Sequence, residues 1–200
     1  IVQLGLPFTQ TILSQFMTYP NTLVYLLKFW VHIIFIQNRL GSSLYPELPA
    51  KSLKVVELYV QSHVNSADVF VEDRSDDPLN AMEGWTEELA CVGKLVRVTM
   101  DEGVKLLTNL WDSLYKDYSN DCRMVTTMRL SGNCDSQLLY RITLKECQLA
   151  WLVHVMAQVL AQQKFTASQI EVGEEILDAE YCKRVFTLSH SIGYRLSNEQ

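Results

Sequence analysis

One long stretch without Gly or Pro constrains the fold of this chain more than any other feature. It runs from Gln137 to Gln163. Its apolar side chains recur at helical spacing and form a single stripe: Leu138, Ile142, Leu149, Leu152, Val153, Met156 and Leu160. At about 1.5 Å per residue, a helix of this length extends roughly 40 Å. Its apolar stripe needs partners on more than one side, so the sequence predicts a stack of helices around it.

The rest of the chain also has helical patterns, separated by short turns. Apolar periodicity predicts helices over residues 2–18, 22–40, 49–71, 79–97, 99–118 and 174–196. Helix, turn and helix repeat at intervals of roughly 40 to 60 residues, the range of helical-pair repeats. The sequence therefore predicts an all-α fold, an α-solenoid of antiparallel helix pairs resembling HEAT or armadillo superhelices. The predicted pairs are residues 2–40, 49–118 with an extra short helix, and 137–196.

Several residues mark the expected ends of these helices. Gly41 stands where a C-terminal cap belongs, and Pro49 suits the first turn of the next helix. Thr99 and Glu102 have the spacing of a capping box. Residues 119–136 are irregular in pattern, and we predict a surface loop there, longer than most connections. The chain begins with Ile1 inside an apolar pattern, so we interpret it as the central part of a longer protein.

Charge and cysteine content exclude some classes of function. The formal net charge is −6, which disfavours nucleic-acid binding because such binding needs clustered Lys and Arg. The five cysteines are odd in number and irregular in spacing, which favours a reducing compartment over a disulfide framework. They are Cys91, Cys122, Cys134, Cys147 and Cys182.

The apolar run over residues 22–36 is the single membrane candidate. It is shorter than the roughly 20 residues that usually span a bilayer, and it carries Lys28 and His32 on one face. We therefore predict a buried helix with one polar stripe and no membrane insertion.

No pattern of reactive residues predicts catalysis, a metal site or a cofactor. The histidines are far apart and have no metal-like partner one helical turn away: His32, His63, His154 and His190. The paired carboxylates fall at helix starts or on predicted exposed faces, where solvation and the helix dipole explain them: Glu87 with Glu88, Asp101 with Glu102, and Glu174 with Glu175. A Gly-rich phosphate loop is missing from the sequence.

Two features are candidates for binding another protein. An acidic turn contains Glu72, Asp73, Asp76 and Asp77, which could meet a basic surface. A solvated turn that caps the following helix explains the same residues, and we favour that interpretation. The second candidate is Trp85, which we expect to be partly exposed, whereas Trp111 and Trp151 are expected in the core.

Four stretches in collinear order resemble the exportin-7 family, which includes Ran-binding proteins 16 and 17. The four stretches run from Pro20 to Trp30, from Asp76 to Leu79, from Val92 to Trp111 and from Leu149 to Val153. The similarity extends from about residue 20 to residue 196, and residues 119–136 depart from the family in composition. The order of the stretches carries the resemblance, since none of them is diagnostic alone.

The resemblance implies a HEAT-repeat protein of the importin-β superfamily. Members of that superfamily are nuclear transport receptors and not enzymes. Such proteins bind cargo proteins and Ran in its GTP form, and they pass the nuclear pore complex through contacts with Phe-Gly nucleoporins. They move between nucleus and cytoplasm. The repeats that characteristically bind Ran would precede Ile1, so the resemblance assigns no Ran-binding residue here.

Two other classes of protein fit the same helical pattern. One is a HEAT-repeat scaffold for protein interactions that is not regulated by Ran. The other is a helical enzyme whose catalytic residues lie outside this chain. Flanking sequence would separate them: an importin-like N-terminal domain favours transport, and a phosphate loop or a His/Asp cluster favours an enzyme.

Overall fold

The computed structural model describes residues 2–15, 20–41, 45–72, 82–130, 135–162 and 172–197. Within these ranges the chain is helical and contains no strand. The helices are α1 (Val2–Leu13), α2 (Pro20–Leu40), α3 (Leu48–Asn65), α4 (Ala67–Glu72), α5 (Met82–Val98), α6 (Met100–Leu130), α7 (Ser136–Ala161) and α8 (Val172–Ser197). The predicted all-α solenoid is confirmed, while the grouping of the helices into pairs stays a prediction.

The end of α2 and the start of α3 follow the predicted signals. Gly41 has φ +103° and donates its N–H to the Gln37 carbonyl at 2.9 Å, as expected of a left-handed cap after a helix. Pro49 lies in the first turn of α3. The prediction that this helix continues to residue 71 is wrong, because Ser66 ends it. The chain bends there, which buries Ala67 and places α4 against α7.

The loop predicted over residues 119–136 is also wrong, because α6 continues as one helix to Leu130. Tyr118, Asp121 and Val125 lie at steps of three and four residues, and all are buried. A buried carboxylate interrupts the apolar stripe and hides its helical period. Residues 131–134 lie outside the described residues, and α7 begins after Asp135, whose side chain accepts the N–H of Gln137 at 2.9 Å.

Thr99 separates α5 from α6, as predicted, but its hydroxyl serves the preceding helix. The hydroxyl donates to the Leu95 carbonyl at 3.3 Å. The Thr99 carbonyl then accepts the N–H of Gly103 at 2.7 Å. The predicted capping box with Glu102 is therefore replaced by a hydroxyl that closes α5 and a carbonyl that opens α6.

The long helix α7 lies at the centre of the chain, as predicted. It contacts α3, α4, α5, α6 and α8. Its buried side chains are Leu138, Ile142, Leu149, Trp151, Leu152, Val155, Met156 and Val159. The backbone approach to α5 is especially close at Gly93, where an added Cβ would lie 2.8 Å from the Gln158 carbonyl oxygen. Nearby, Arg97 Nε donates to the Val159 carbonyl at 2.7 Å.

Two groups of charged side chains join α6, α7 and α8. Asp121 of α6 accepts hydrogen bonds from Arg141 and Lys145 of α7, each at 2.7 Å. Glu146 of α7 forms a bidentate pair with Arg195 of α8 at 2.8 and 2.9 Å. Because the Asp121 side chain is only 3% exposed, its pairing with cations offsets the cost of removing it from water.

Candidate protein-interaction surface

The predicted acidic turn lies mostly beyond the part of the chain that the structure describes. Glu72 is the last residue of α4. Asp73, Asp76 and Asp77 lie outside the described residues. Their proposed contact with a basic partner stays a prediction.

Trp85 is partly exposed, as predicted, whereas Trp30, Trp111 and Trp151 are each at most 2% exposed. Its ring lies 5.4 Å from that of Trp151 and 5.4 Å from that of His63, edge to face in both cases. Trp85 of α5 thereby packs against both α7 and α3. These contacts give the indole a packing role, and its role in binding a partner stays a prediction.

His63 is a core residue of α3. It is 1% exposed and its ring centroid lies 4.1 Å from that of Tyr59. Its Nδ1 donates to the Tyr59 carbonyl at 2.9 Å, which fixes the proton on that nitrogen. Burial lowers the pKa of His63 to about 4, so the ring is neutral at physiological pH. Among the described residues, no cluster of His, Cys, Asp and Glu could hold a metal ion.

Glu88 corrects the prediction that the Glu87–Glu88 pair is solvated. Glu87 is exposed and pairs with Lys28 of α2, but Glu88 is 1% exposed. It accepts a long hydrogen bond of 3.4 Å from the Tyr59 hydroxyl. Glu88 lies one turn before the buried Val92, so its place on the apolar face of α5 was visible in the sequence.

The buried carboxyl of Glu88 makes stability depend on pH. Burial raises its pKa from 4.5 to about 7, against the opposing effect of the Tyr59 hydrogen bond. The folded chain therefore holds this proton more tightly than the unfolded chain. Stability falls as the pH rises from 4.5 to about 7, by at most about 3 kcal/mol. Because Glu88 and His63 are both sealed from solvent, neither is placed to act on a substrate.

A groove lies between α2 and α5, and the sequence did not predict it. It is shallow and has room for about one water molecule. Its lining residues are Val31, Ile34, Phe35 and Asn38 from α2, and Lys94, Leu95 and Val98 from α5. Its walls are formed by two helices that are distant in the chain, and no local pattern in the sequence predicts that these helices pack together.

The helix α2 contains the apolar run that the sequence offers as a membrane candidate. Among the described residues it is the one helix long and apolar enough to cross a membrane, from Asn21 to Leu40, with 33% of that span buried inside the structure. Leu27 and Trp30 are fully buried, and the Trp30 indole N–H donates to the Thr9 hydroxyl of α1 at 2.8 Å. The predicted buried helix is therefore confirmed for one face only, since Tyr25, Ile36 and Leu40 are 72%, 53% and 66% exposed.

Known proteins of animals are similar to this chain over nearly its whole length. Ran-binding protein 16 of Drosophila melanogaster is 26% identical over 193 residues, or 94% of this chain and 16% of that protein. Exportin-7-A of Xenopus laevis is 24% identical over 197 residues, or 98% of this chain and 17% of that protein. Ran-binding protein 17 of Homo sapiens is 24% identical over 188 residues, with 94% and 16% covered. The chain thus spans only 16 to 17% of the length of these relatives. No solved structure matches it.

A family profile described as exportin-7-like, TPR domain, matches residues 66–200. The match begins at the bend before α4 and continues through α8, so it covers more than half of the chain. It includes the central helix α7 together with α6 and α8, which form ion pairs with α7. The chain belongs to the exportin-7-like family.

Proposed function

We propose that this chain is part of a nuclear transport receptor that binds cargo proteins in a Ran-GTP-dependent way and carries them through the nuclear pore. The observation that carries the proposal is the exportin-7-like profile over residues 66–200. The similarity to exportin-7 and to Ran-binding proteins over 94 to 98% of the chain supports it. The partners of the whole protein would be Ran-GTP, cargo proteins and Phe-Gly nucleoporins, in the nucleus, the cytoplasm and the nuclear pore complex.

The proposed mechanism is binding without chemistry. A solenoid can change its curvature through small rotations between neighbouring helices. If Ran-GTP binds one curvature more tightly, it changes the affinity of the protein for cargo. By linkage, cargo changes the affinity for Ran-GTP by the same factor. The contacts of α7 with five other helices would make this segment a continuous unit through which such a change is passed on.

The decisive experiment uses the full-length protein that contains this chain. Immobilised protein is tested for binding to Ran loaded with a non-hydrolysable GTP analogue and to Ran loaded with GDP. We expect at least about tenfold preference for the GTP form, within the usual range of coupling between sites. Cargo is then identified from proteins whose retention changes when Ran-GTP is added. Equal binding of both forms, or none, would reject transport and favour a helical-repeat scaffold that Ran does not regulate.

A further inference from the structure

The helix α8 is attached to its neighbours mainly through charged and polar side chains. Asp112 of α6 forms a bidentate pair with Arg184, with both contacts at 3.0 Å. Glu146 of α7 forms a second bidentate pair with Arg195. The two arginines lie about three helical turns apart, so the pairs hold α8 at two separate points.

Two further polar contacts extend this attachment. Asp178 of α8 lies 3.7 Å from Arg97 of α5. The hydroxyl of Ser191 is hydrogen-bonded to that of Tyr115 of α6 at 2.8 Å. Polar contacts therefore follow α8 from Asp178 to Arg195 and reach three other helices.

Apolar burial contributes less to the packing of α8 than to that of the central helix. Both helices have 26 residues, and α7 has eight buried side chains. The described side chains of α8, at residues 178–197, include two buried ones, Tyr181 and Leu188, and the partly buried Ile192. Three large hydrophobic side chains of α8 are instead more than half exposed: Phe186, Tyr194 and Leu196.

Salt acts differently on charged and apolar contacts. Attraction between exposed charges extends over about 10 Å at 0.1 M salt but only about 3 Å at 1 M, because counterions screen it. The Asp112–Arg184 pair is open to this screening, since the Asp112 side chain is 59% exposed. The helices α5 and α7 pack mainly through buried apolar side chains, and their contact lacks this dependence on salt.

We propose that α8 is a movable element that separates from α5, α6 and α7 as one helix, and that its ion pairs with Asp112 and Glu146 control how often it separates. Regions with few buried apolar contacts open at a lower free energy than the core does. Separation changes the angle at which α8 leaves the stack of helices. The device depends on these charges and not on Ran, so a scaffold without Ran regulation would have it equally.

The test is amide hydrogen exchange of the full-length protein, followed by mass spectrometry, in 0.05 M and 0.5 M sodium chloride. A helix that leaves its neighbours loses most of its stability in water, so its amides exchange faster. Peptides from α8 should exchange about three- to tenfold faster at the higher salt, because two ion pairs are weakened. Peptides from α5 and α7 should change by less than about twofold, because apolar burial holds them.

Variants assign the effect to named side chains. Asp112→Asn removes the charge and keeps the shape, and at 0.05 M salt it should speed exchange in α8 about two- to fivefold. The effect of salt on α8 should be smaller in this variant. Lys54→Gln is the matched control, because it breaks a 2.7 Å ion pair with Glu57 that lies within α3, and it should leave exchange in α8 unchanged.

Four results would overturn the proposal. Exchange in α8 that does not vary with salt would show that the ion pairs do not control its separation. Equal acceleration in α5, α7 and α8 would show that the whole chain opens together. Complete exchange of α8 at the shortest time in low salt would show that the pairs do not hold it. An effect of Lys54→Gln as large as that of Asp112→Asn would indicate a general effect of charge. The comparison of salt concentrations uses unaltered protein, so it decides the matter even if a variant does not fold.

Discussion

Replacing Gly93 with Ala tests the closest helix approach in the core. The Cβ of an alanine would lie 2.8 Å from the Gln158 carbonyl oxygen and 2.9 Å from its carbonyl carbon. Even the close C–H···O contacts between packed backbones have C···O separations of about 3.3–3.6 Å. The helices α5 and α7 must therefore move apart by about half an ångström, and backbone cannot rotate away as a side chain can. Overpacking of this kind costs about 1–3 kcal/mol.

Gly193 of α8 provides the matched control, because it is exposed and nothing lies within 4 Å of an added Cβ. Both glycines are inside helices, so Gly→Ala adds the same favourable helix propensity of about 1 kcal/mol at each. Gly193→Ala should then stabilise the chain by about 1 kcal/mol. Gly93→Ala should change stability by about 0 to 2 kcal/mol in the unfavourable direction. The difference between the two variants isolates the packing cost.

Thermal unfolding of the two purified variants measures that difference. For a chain of this size, 1 kcal/mol corresponds to about 2–4 °C in Tm, so Gly93→Ala should melt about 2–12 °C below Gly193→Ala. Hydrogen exchange should accelerate in α5 and α7 of Gly93→Ala and remain unchanged in those helices of Gly193→Ala. If Gly93→Ala melts at or above the temperature of Gly193→Ala, the close approach at Gln158 and the reasoning built on it are wrong.

Three further predictions concern buried and exposed side chains. Glu88→Gln should leave the free energy of unfolding at pH 4.5 nearly unchanged and raise it at pH 8 by up to about 3 kcal/mol, because the amide cannot ionise. Urea titrations at the two pH values measure both effects, and equal effects would contradict the raised pKa of this carboxyl. Asp121→Asn removes the ion pairs with Arg141 and Lys145 and should lower the free energy of unfolding by about 1–3 kcal/mol, seen as a lower urea midpoint. Iodoacetamide should modify the exposed Cys182 well before Cys91, which is 5% exposed and whose thiol has its pKa raised by burial. Mass spectrometry of partly labelled protein gives the order of modification, and the reverse order would refute the prediction.

Local signals predicted the elements whose formation depends on their own residues. The helix α7 has an uninterrupted apolar stripe, so its bounds of Ser136–Ala161 differ little from the predicted 137–163. Gly41 and Pro49 act through the backbone, as a left-handed cap and a first-turn residue, and neither needs a distant partner. These features are set by chain geometry over a few residues.

The errors occur where distant residues decide the outcome. Asp121 looks like a loop residue in sequence, yet it lies in the middle of α6 because Arg141 and Lys145 reach it from α7. Glu88 looks solvated beside Glu87, yet α3 covers it. The partners of each buried carboxylate come from another helix, although the one-turn spacing of Glu88 and Val92 already placed Glu88 on the apolar face of α5. The α2–α5 groove was missed for the same reason, since its two walls are brought together only by tertiary packing.

The shifted pKa values of His63 and Glu88 report packing. Strongly shifted pKa values often accompany function, because active sites combine burial with opposing charges. Here burial is the leading cause of the shifts at His63 and Glu88, and both side chains are 1% exposed. The two buried groups therefore set how the stability of α3 and α5, the helices that carry them, varies with pH.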